Sequence, residues 1–297
     1  MAETAVISGG SGLVGQALTE RLVKQGFNVV ILSRTDHQNT EQVSYVNWSK
    51  VDWIKQMPKA DLVINLAGAT LNKRWTEEYK KQILKSRIES TKKLRHYLEQ
   101  TSYRPYVINA SAVGYYPTAK RLTFTERDVF VPHNFLSSVV CQWEAEAAAI
   151  KALGTDVARC RFGVVLAKNG GALPLMALPY RLAAGGPIAD GRQVLSWIHI
   201  DDLTEAMLYI YKQRLTGIFN FTAPQPATQD QFGRTLGKVL HRPHWFPVPK
   251  VMMNTVLGEQ AQMVTEGQRV LPERLLAEGF EFSYPDVDAA LREIYSK

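Results

Sequence analysis

Two cysteines, Cys141 and Cys160, are all that the 297 residues contain. So few cysteines argue against a disulfide framework and a metal cluster, and they fit a reducing compartment. No stretch reaches the roughly 18–20 continuous apolar residues of a membrane span, so no membrane association is expected. The first residues run straight into an apolar strand, without a basic segment followed by an apolar one. No signal peptide is expected, and a cytoplasmic location or an organelle matrix follows. No internal repeat is found. Negative charge is also short, giving a formal net charge of +7. Much of the excess is local, with ten Lys/Arg against four Glu between positions 70 and 104. A nucleic-acid surface is one reading and a solvated helix face is the commoner one. No nucleic-acid motif accompanies the charge, and no nucleic-acid partner is expected.

What is present is enough apolar content, 45%, for a full core. Residues 4–8 read as a short buried strand. Gly9, Gly12 and Gly15 follow at a three-residue spacing, with Leu13 and Val14 inside the turn. An amphipathic helix is predicted over 16–25, then a second apolar strand over 27–32, ending in Ser33-Arg34. Strand, glycine turn, helix, strand is the unit that holds a dinucleotide. Gly9 permits the tight turn, Gly12 lets backbone approach a pyrophosphate at the helix N-terminus, and Gly15 lets helix and strand pack closely. An acidic residue at the end of the second strand would accept from the ribose of NAD, whereas a cation accommodates the 2′-phosphate of NADP. Ser33 and Arg34 stand there, which favours NADP(H). Asp36 is the competing ribose acceptor.

Further strands are predicted over 43–48, 60–66, 106–110, 157–166 and 217–221, and helices over 76–100, 135–151 and 172–184. The strand at 60–66 runs into Ala67-Gly68, where bulk would collide with a nucleotide. Thr76 is the expected N-cap of its helix. In that helix Arg87 falls among Ile83, Thr91, Leu94 and Leu98, in the middle of the apolar stripe, so it should reach a cofactor phosphate or a sheet-end carboxylate. Ser111, after the fifth strand, is placed to hydrogen-bond a substrate oxygen, and Tyr115 is a candidate acid beside it. Arg161, Lys168 and Arg181 are candidate anchors for an acidic group, and Asp201 or Asp202 the N-cap of a helix running through Tyr211.

These landmarks, with Asn65-Leu66-Ala67-Gly68 and Trp197-Ile198-His199-Ile200-Asp201-Asp202, resemble the extended short-chain dehydrogenase/reductase superfamily. Trp75, Lys85-Ser86-Arg87, Gly114-Tyr115-Tyr116, Trp143-Glu144, Gly185-Gly186-Pro187 and the tail from Pro272 to Tyr284-Pro285 narrow the resemblance to its atypical "epimerase family". Those members carry a small C-terminal domain of unknown function. The resemblance implies an α/β fold: a Rossmann-type doubly wound parallel sheet over 1–240, and a small C-terminal α+β domain over 241–297 contributing to a substrate lobe. It implies NADP(H) as cofactor and a small-molecule substrate, with the protein a monomer or homodimer. Carried over by position, the cofactor contacts are the glycine turn, Ser33, Arg34, Leu66, Ala67, Arg87 and Val165, with Gln82 one helical turn before Arg87. Typical members of the superfamily carry a Tyr-x-x-x-Lys acid/base pair, and here those positions hold Leu136 and Val140. Two functions stay open. One is an oxidoreductase or nucleotide-sugar epimerase-like enzyme acting on a polar carbonyl compound. The other is a non-catalytic NADP(H)-binding regulatory or partner-binding protein, a role linked to division in some relatives.

Overall fold

The computed structural model describes residues 2–296. Seven parallel strands form the central sheet: β1 (Thr4–Ser8), β2 (Asn28–Ser33), β3 (Val43–Asn47), β4 (Leu62–Asn65), β5 (Tyr106–Ala112), β6 (Val157–Phe162) and β7 (Gly217–Phe221). Their spatial order is β7-β6-β5-β4-β1-β2-β3. Strand order reverses between β1 and β4, and the crevice outside their carboxyl ends is where a doubly wound sheet opens to a ligand. Central strands read as unbroken apolar runs because both faces are covered. On one face α1 (Leu13–Lys24) packs with α5 (Ile200–Lys212), through Leu18, Leu22, Leu203 and Met207. On the other, α2 (Glu77–Glu99) lies beside α3 (Phe135–Ile150), with Leu94, Leu98 and Ile150 against the sheet. Thr76 caps α2 as its sequence predicts, its hydroxyl oxygen accepting from the Tyr79 N–H at 3.1 Å.

Three local expectations are corrected. The apolar run 157–166 is two strands, because Gly163 lies against the Ser196 backbone, where an added Cβ would sit 2.6 Å from its carbonyl oxygen. Val164–Leu166 therefore leaves the sheet to pair with Trp197–His199. The helix predicted over 172–184 is shorter, α4 (Leu173–Arg181). The N-cap of α5 is His199, not Asp201 or Asp202: its Nδ1 accepts from the Asp201 N–H at 3.2 Å, which leaves both aspartates in the first turn.

The last part of the chain folds back against α5 and the edge strand β7, where Arg274 donates to the carbonyls of Thr216 and Ile218. The carboxylate of Asp202 accepts from the N–H groups of Ser283 and Tyr284, both at 2.9 Å. The last helix, Val287–Ser296, packs on α6 (Gln229–Val239) through Leu291, Ile294 and Leu236. Residues Arg269–Val270 pair in parallel with Thr123–Phe124. No helix among the described residues is long and apolar enough to cross a membrane.

Candidate active site

A cleft of about 510 Å³ opens at the carboxyl ends of β1, β4, β5 and β6. Its inner end is the β1–α1 turn. Gly9 has φ +76°, and a Cβ there would lie 2.8 Å from the Leu66 backbone. A Cβ on Gly15 would lie 2.4 Å from the Gly9 carbonyl oxygen. The turn is thus pressed between α1 and the end of β4 with no room for a side chain. Gly12 caps α1 without a side-chain hydrogen bond, so the first-turn N–H groups and the positive end of the helix dipole face the cleft. Gly9, Gly12, Leu13, Val14, Gly15, Leu66, Arg87, Ser111 and Val165 all line it.

Other expected residues lie around this lining rather than in it. Ala67 and Gly68 continue from Leu66, and Gly68 is small because Arg87 lies over it: a Cβ would be 3.0 Å from the guanidinium carbon. Ser33 is half-buried and Arg34 exposed at the end of β2. The Ser33 hydroxyl oxygen accepts from the Thr35 N–H at 3.2 Å. Asp36 is already engaged, with Lys50 at 2.9 Å and the Asn47 amide at 3.2 Å. The hydrogen bond from Lys50, then that from Asn47, holds its carboxyl below the usual range. Gln82 is exposed on α2.

Arg87 is inward-facing, as its position in the apolar stripe requires. Its guanidinium donates to the carbonyls of Ala69 at 3.2 Å and Ile83 at 3.0 Å, and lies 5.3 Å from the Trp143 ring centre. Among the described residues it has no carboxylate partner. Burial pulls its pKa down to about 10. The buried Trp143 Nε1 also lacks an acceptor among the described residues.

Beneath the cleft runs a buried polar network. Ser111 donates to Glu144 at 2.6 Å, and Arg161 grips the same carboxylate through two hydrogen bonds, at 2.7 and 2.8 Å. Arg161, 1% exposed, also donates to the Tyr116 hydroxyl at 2.9 Å, and Tyr116 donates on to Asn220 at 2.8 Å. Burial pushes the Tyr116 phenol up to about 12. Arg161 is therefore occupied internally, not an anchor for a substrate. Tyr115 stands outside the cleft lining, its ring 3.4 Å from the Arg161 guanidinium carbon, and its hydroxyl accepts from the Phe130 N–H at 2.9 Å. Lys168 and Arg181 also stand outside the lining. Leu136 and Val140, one turn apart on α3, both line the cleft. Burial pushes the neighbouring Cys141 thiol up, away from nucleophilic use.

His199, Asp201 and Glu293 bring candidate ligand atoms within 4.8 Å of one another. The imidazole is already used on both sides: Nδ1 accepts from the Asp201 N–H, and Nε2 lies 3.2 Å from Glu293. The outer wall of the cleft comes from Gln262, Met263 and residues 266–268, a stretch in which sequence reasoning named no site residue. Gln268 donates to the Val113 carbonyl at 3.0 Å, and a Cβ on Gly267 would lie 2.2 Å from the Val194 carbonyl oxygen. These residues carry no periodicity to mark them; the one signal is Gly267 itself.

The model of the NAD dependent epimerase/dehydratase family matches residues 5–221, and a domain of unknown function, DUF1731, matches 248–294. The chain belongs to the NAD-dependent epimerase/dehydratase family. An epimerase family protein of Staphylococcus saprophyticus is 45% identical over 292 residues, which cover 97% of this chain and 98% of that protein. A human epimerase family protein, whose crystal structure is described with NADPH, is 34% identical, with 99% of each chain covered and a TM-score of 0.90. UDP-glucuronic acid 4-epimerase of Bacillus cereus, in complex with UDP-glucuronic acid and NAD, shares only the fold: 14% identity and a TM-score of 0.80, over 99% of this chain and 98% of that one. The present chain has the family's nucleotide-binding architecture, with Leu136 and Val140 on the cleft wall.

Proposed function

We propose that the cleft binds NADP(H) in preference to NAD(H), and that the protein is an NADP(H)-dependent oxidoreductase of the epimerase family. The residues fit a dinucleotide: the cradle has no room for a Cβ at Gly9 or Gly15, and an uncapped helix N-terminus opens into it. Gly12, Leu13, Val14 and Gly15 would hold the pyrophosphate. Leu66, Ala67, Gly68 and Val165 would flank the cofactor, and Arg87 would meet a phosphate from the α2 side. The observation that carries the NADP preference is the end of β2. Arg34 is exposed there beside Ser33, while the alternative ribose acceptor, Asp36, is engaged by Lys50 and Asn47. The NADPH in the human relative's structure supports the same preference. When bound, the reduced nicotinamide supplies a hydride. The chain's part is to orient it and to exclude water with the wall at 262–268.

Calorimetric titration with NADPH and NADH tests this reading. The expected result is NADPH binding stronger by at least ~1.4 kcal/mol, a tenfold difference. Equal affinities would remove the NADP preference, and no binding of either would remove the cofactor reading.

A second reading, a non-catalytic NADP(H)-binding regulator, is favoured by Leu136 and Val140. It predicts a partner captured only when NADPH is present. The same partners with and without NADPH would count against it.

A further inference from the structure

We propose that the substrate half of the cleft takes a planar, apolar hydride acceptor of the quinone class, and that the protein contributes no proton to its reduction. The proposal rests on the NADP(H) reading above and deepens it by naming a substrate class.

Among the described residues, the hydroxyls that line the cleft direct their protons into the protein: Thr118 donates to Glu266 at 3.2 Å and Ser196 to the Gln268 carbonyl at 2.8 Å. Leu136 and Val140 occupy one side of the cleft from α3, and neither transfers a proton. Ser111 lines the cleft, but its hydroxyl proton is directed to Glu144, whose carboxylate Arg161 holds from the other side. Toward the cleft, Ser111 therefore offers lone pairs. Tyr116 directs its proton to Asn220, deeper in the protein. Glu266, at the rim, is paired with Lys250 at 3.2 Å. Arg87 stays charged at neutral pH, and its guanidinium donates to the carbonyls of Ala69 and Ile83.

The walls point the same way. Leu71, Val113, Val139, Val194, Leu195 and Met263 line the same cleft as Ser111, Leu136 and Val140. Polar side chains, among them Asn72, Asn134, Gln262 and Gln268, are the minority of the lining, so a sugar ring would set several of its hydroxyls against apolar walls. A flat aromatic body would instead exchange water for apolar contact.

The chemistry closes without an acid. Hydride addition to an isolated ketone leaves an alkoxide, which needs a proton as it forms. Hydride addition to a quinone leaves a hydroquinone monoanion, with its charge spread over the ring and a conjugate acid in the phenol range, near pKa ~10. The quinone gains two electrons and one proton as the hydride, the nicotinamide is oxidised by the same amount, and water supplies the second proton.

The test uses the full-length protein with menadione, a methyl naphthoquinone, and a saturated bicyclic ketone of similar size. Three quantities are read: NADPH binding by calorimetry, menadione binding in the presence of NADP⁺ by quenching of tryptophan fluorescence, and NADPH oxidation with each acceptor. The expected result is saturable menadione binding and menadione turnover at least ~10²-fold above the ketone, the lower end of what a general acid is worth. Quinone turnover should also stay level across neutral pH. Met263 is 40% exposed, so Met263→Glu should fold, keep NADPH affinity and weaken menadione binding. NADPH binding without menadione binding or turnover would overturn this proposal and leave the cofactor reading standing. Ketone turnover equal to quinone turnover would overturn it as well. Failure to bind NADPH would overturn the cofactor reading and this one with it.

Discussion

Arg161 on β6 and Glu144 on α3 form a bidentate ion pair, at 2.7 and 2.8 Å, directly beneath Ser111. Both partners are buried, and the pair joins a strand to the helix that covers it. Removing one partner leaves an uncompensated charge. Glu144→Ala is expected to cost about 3–5 kcal/mol of stability, read from the urea midpoint at unchanged slope. The double variant Glu144→Leu/Arg161→Met should recover most of that loss, because the charge is then gone from both sides. If Glu144→Ala unfolds at the wild-type midpoint, the pair does not hold α3 to the sheet.

Arg34 is exposed and away from the core, so its removal should be silent in stability. Arg34→Ala is expected to weaken NADPH binding about tenfold, ~1.4 kcal/mol, while NADH affinity stays within twofold. Equal losses for both cofactors would show that Arg34 reads the adenosine and not its phosphate.

His199 gives the fold a pH dependence with a definite sign. Burial lowers its pKa below the ordinary 6.5, against the pull of Asp201, Glu293 and Asp202, and the Tyr284 ring lies tilted against it, 4.1 Å away between ring centres. The neutral imidazole accepts the α5 capping hydrogen bond at Nδ1, and a protonated ring cannot. In the window below pH 6.5 and above the folded pKa, the unfolded chain binds more protons than the folded one. Stability from this group is therefore present above pH 6.5 and is lost as the pH falls through that window. Thermal unfolding from pH 7.5 to pH 5.5 should show a decline, reduced in His199→Asn, which keeps a capping acceptor without a titrating ring. An identical decline in the variant would assign it to other groups.

Leu136 and Val140 stand one helical turn apart on the cleft wall. The double variant Leu136→Tyr/Val140→Lys places a phenol and an amine there. Reduction of a saturated ketone by NADPH is expected to rise, toward the ~10²-fold or more that a positioned acid supplies. Measured kcat should rise more than KM changes. No rise, with NADPH still bound, would mean that more than these two side chains separates the cleft from ketone chemistry.

The β1–α1–β2 unit was legible because each of its signals is local: apolar runs, the glycine spacing and a cation at the strand end. Arg87 was legible for a similar reason, since helical periodicity alone puts it inside the apolar stripe. Glu144 and Arg161 were not. Seventeen positions separate them, and a cation inside an apolar strand gives no hint of whether it faces a ligand or a buried carboxylate. His199 displaced the aspartates as N-cap because capping depends on where the preceding strand stops, and pairing of 197–199 with 164–166 sets that point. Tyr115 and Tyr116 are adjacent in sequence, yet only Tyr116 lines the cleft, because the short 3-10 turn at Val113–Tyr115 places Tyr115 against Arg161.

The strand pair that joins Arg269–Val270 to Thr123–Phe124 has a mechanical consequence. Directly before it, Gly267 is wedged against Val194 and Gln268 is tied to Val113. The outer wall of the cleft is therefore anchored like a hasp, to Val113 just after β5 and to residues 194–196 at once. Prying the hasp open means breaking main-chain pairing, so the spacing between nucleotide cradle and wall behaves as a fixed gauge. A ligand seated between them would meet a slot of set width before any side chain read its chemistry.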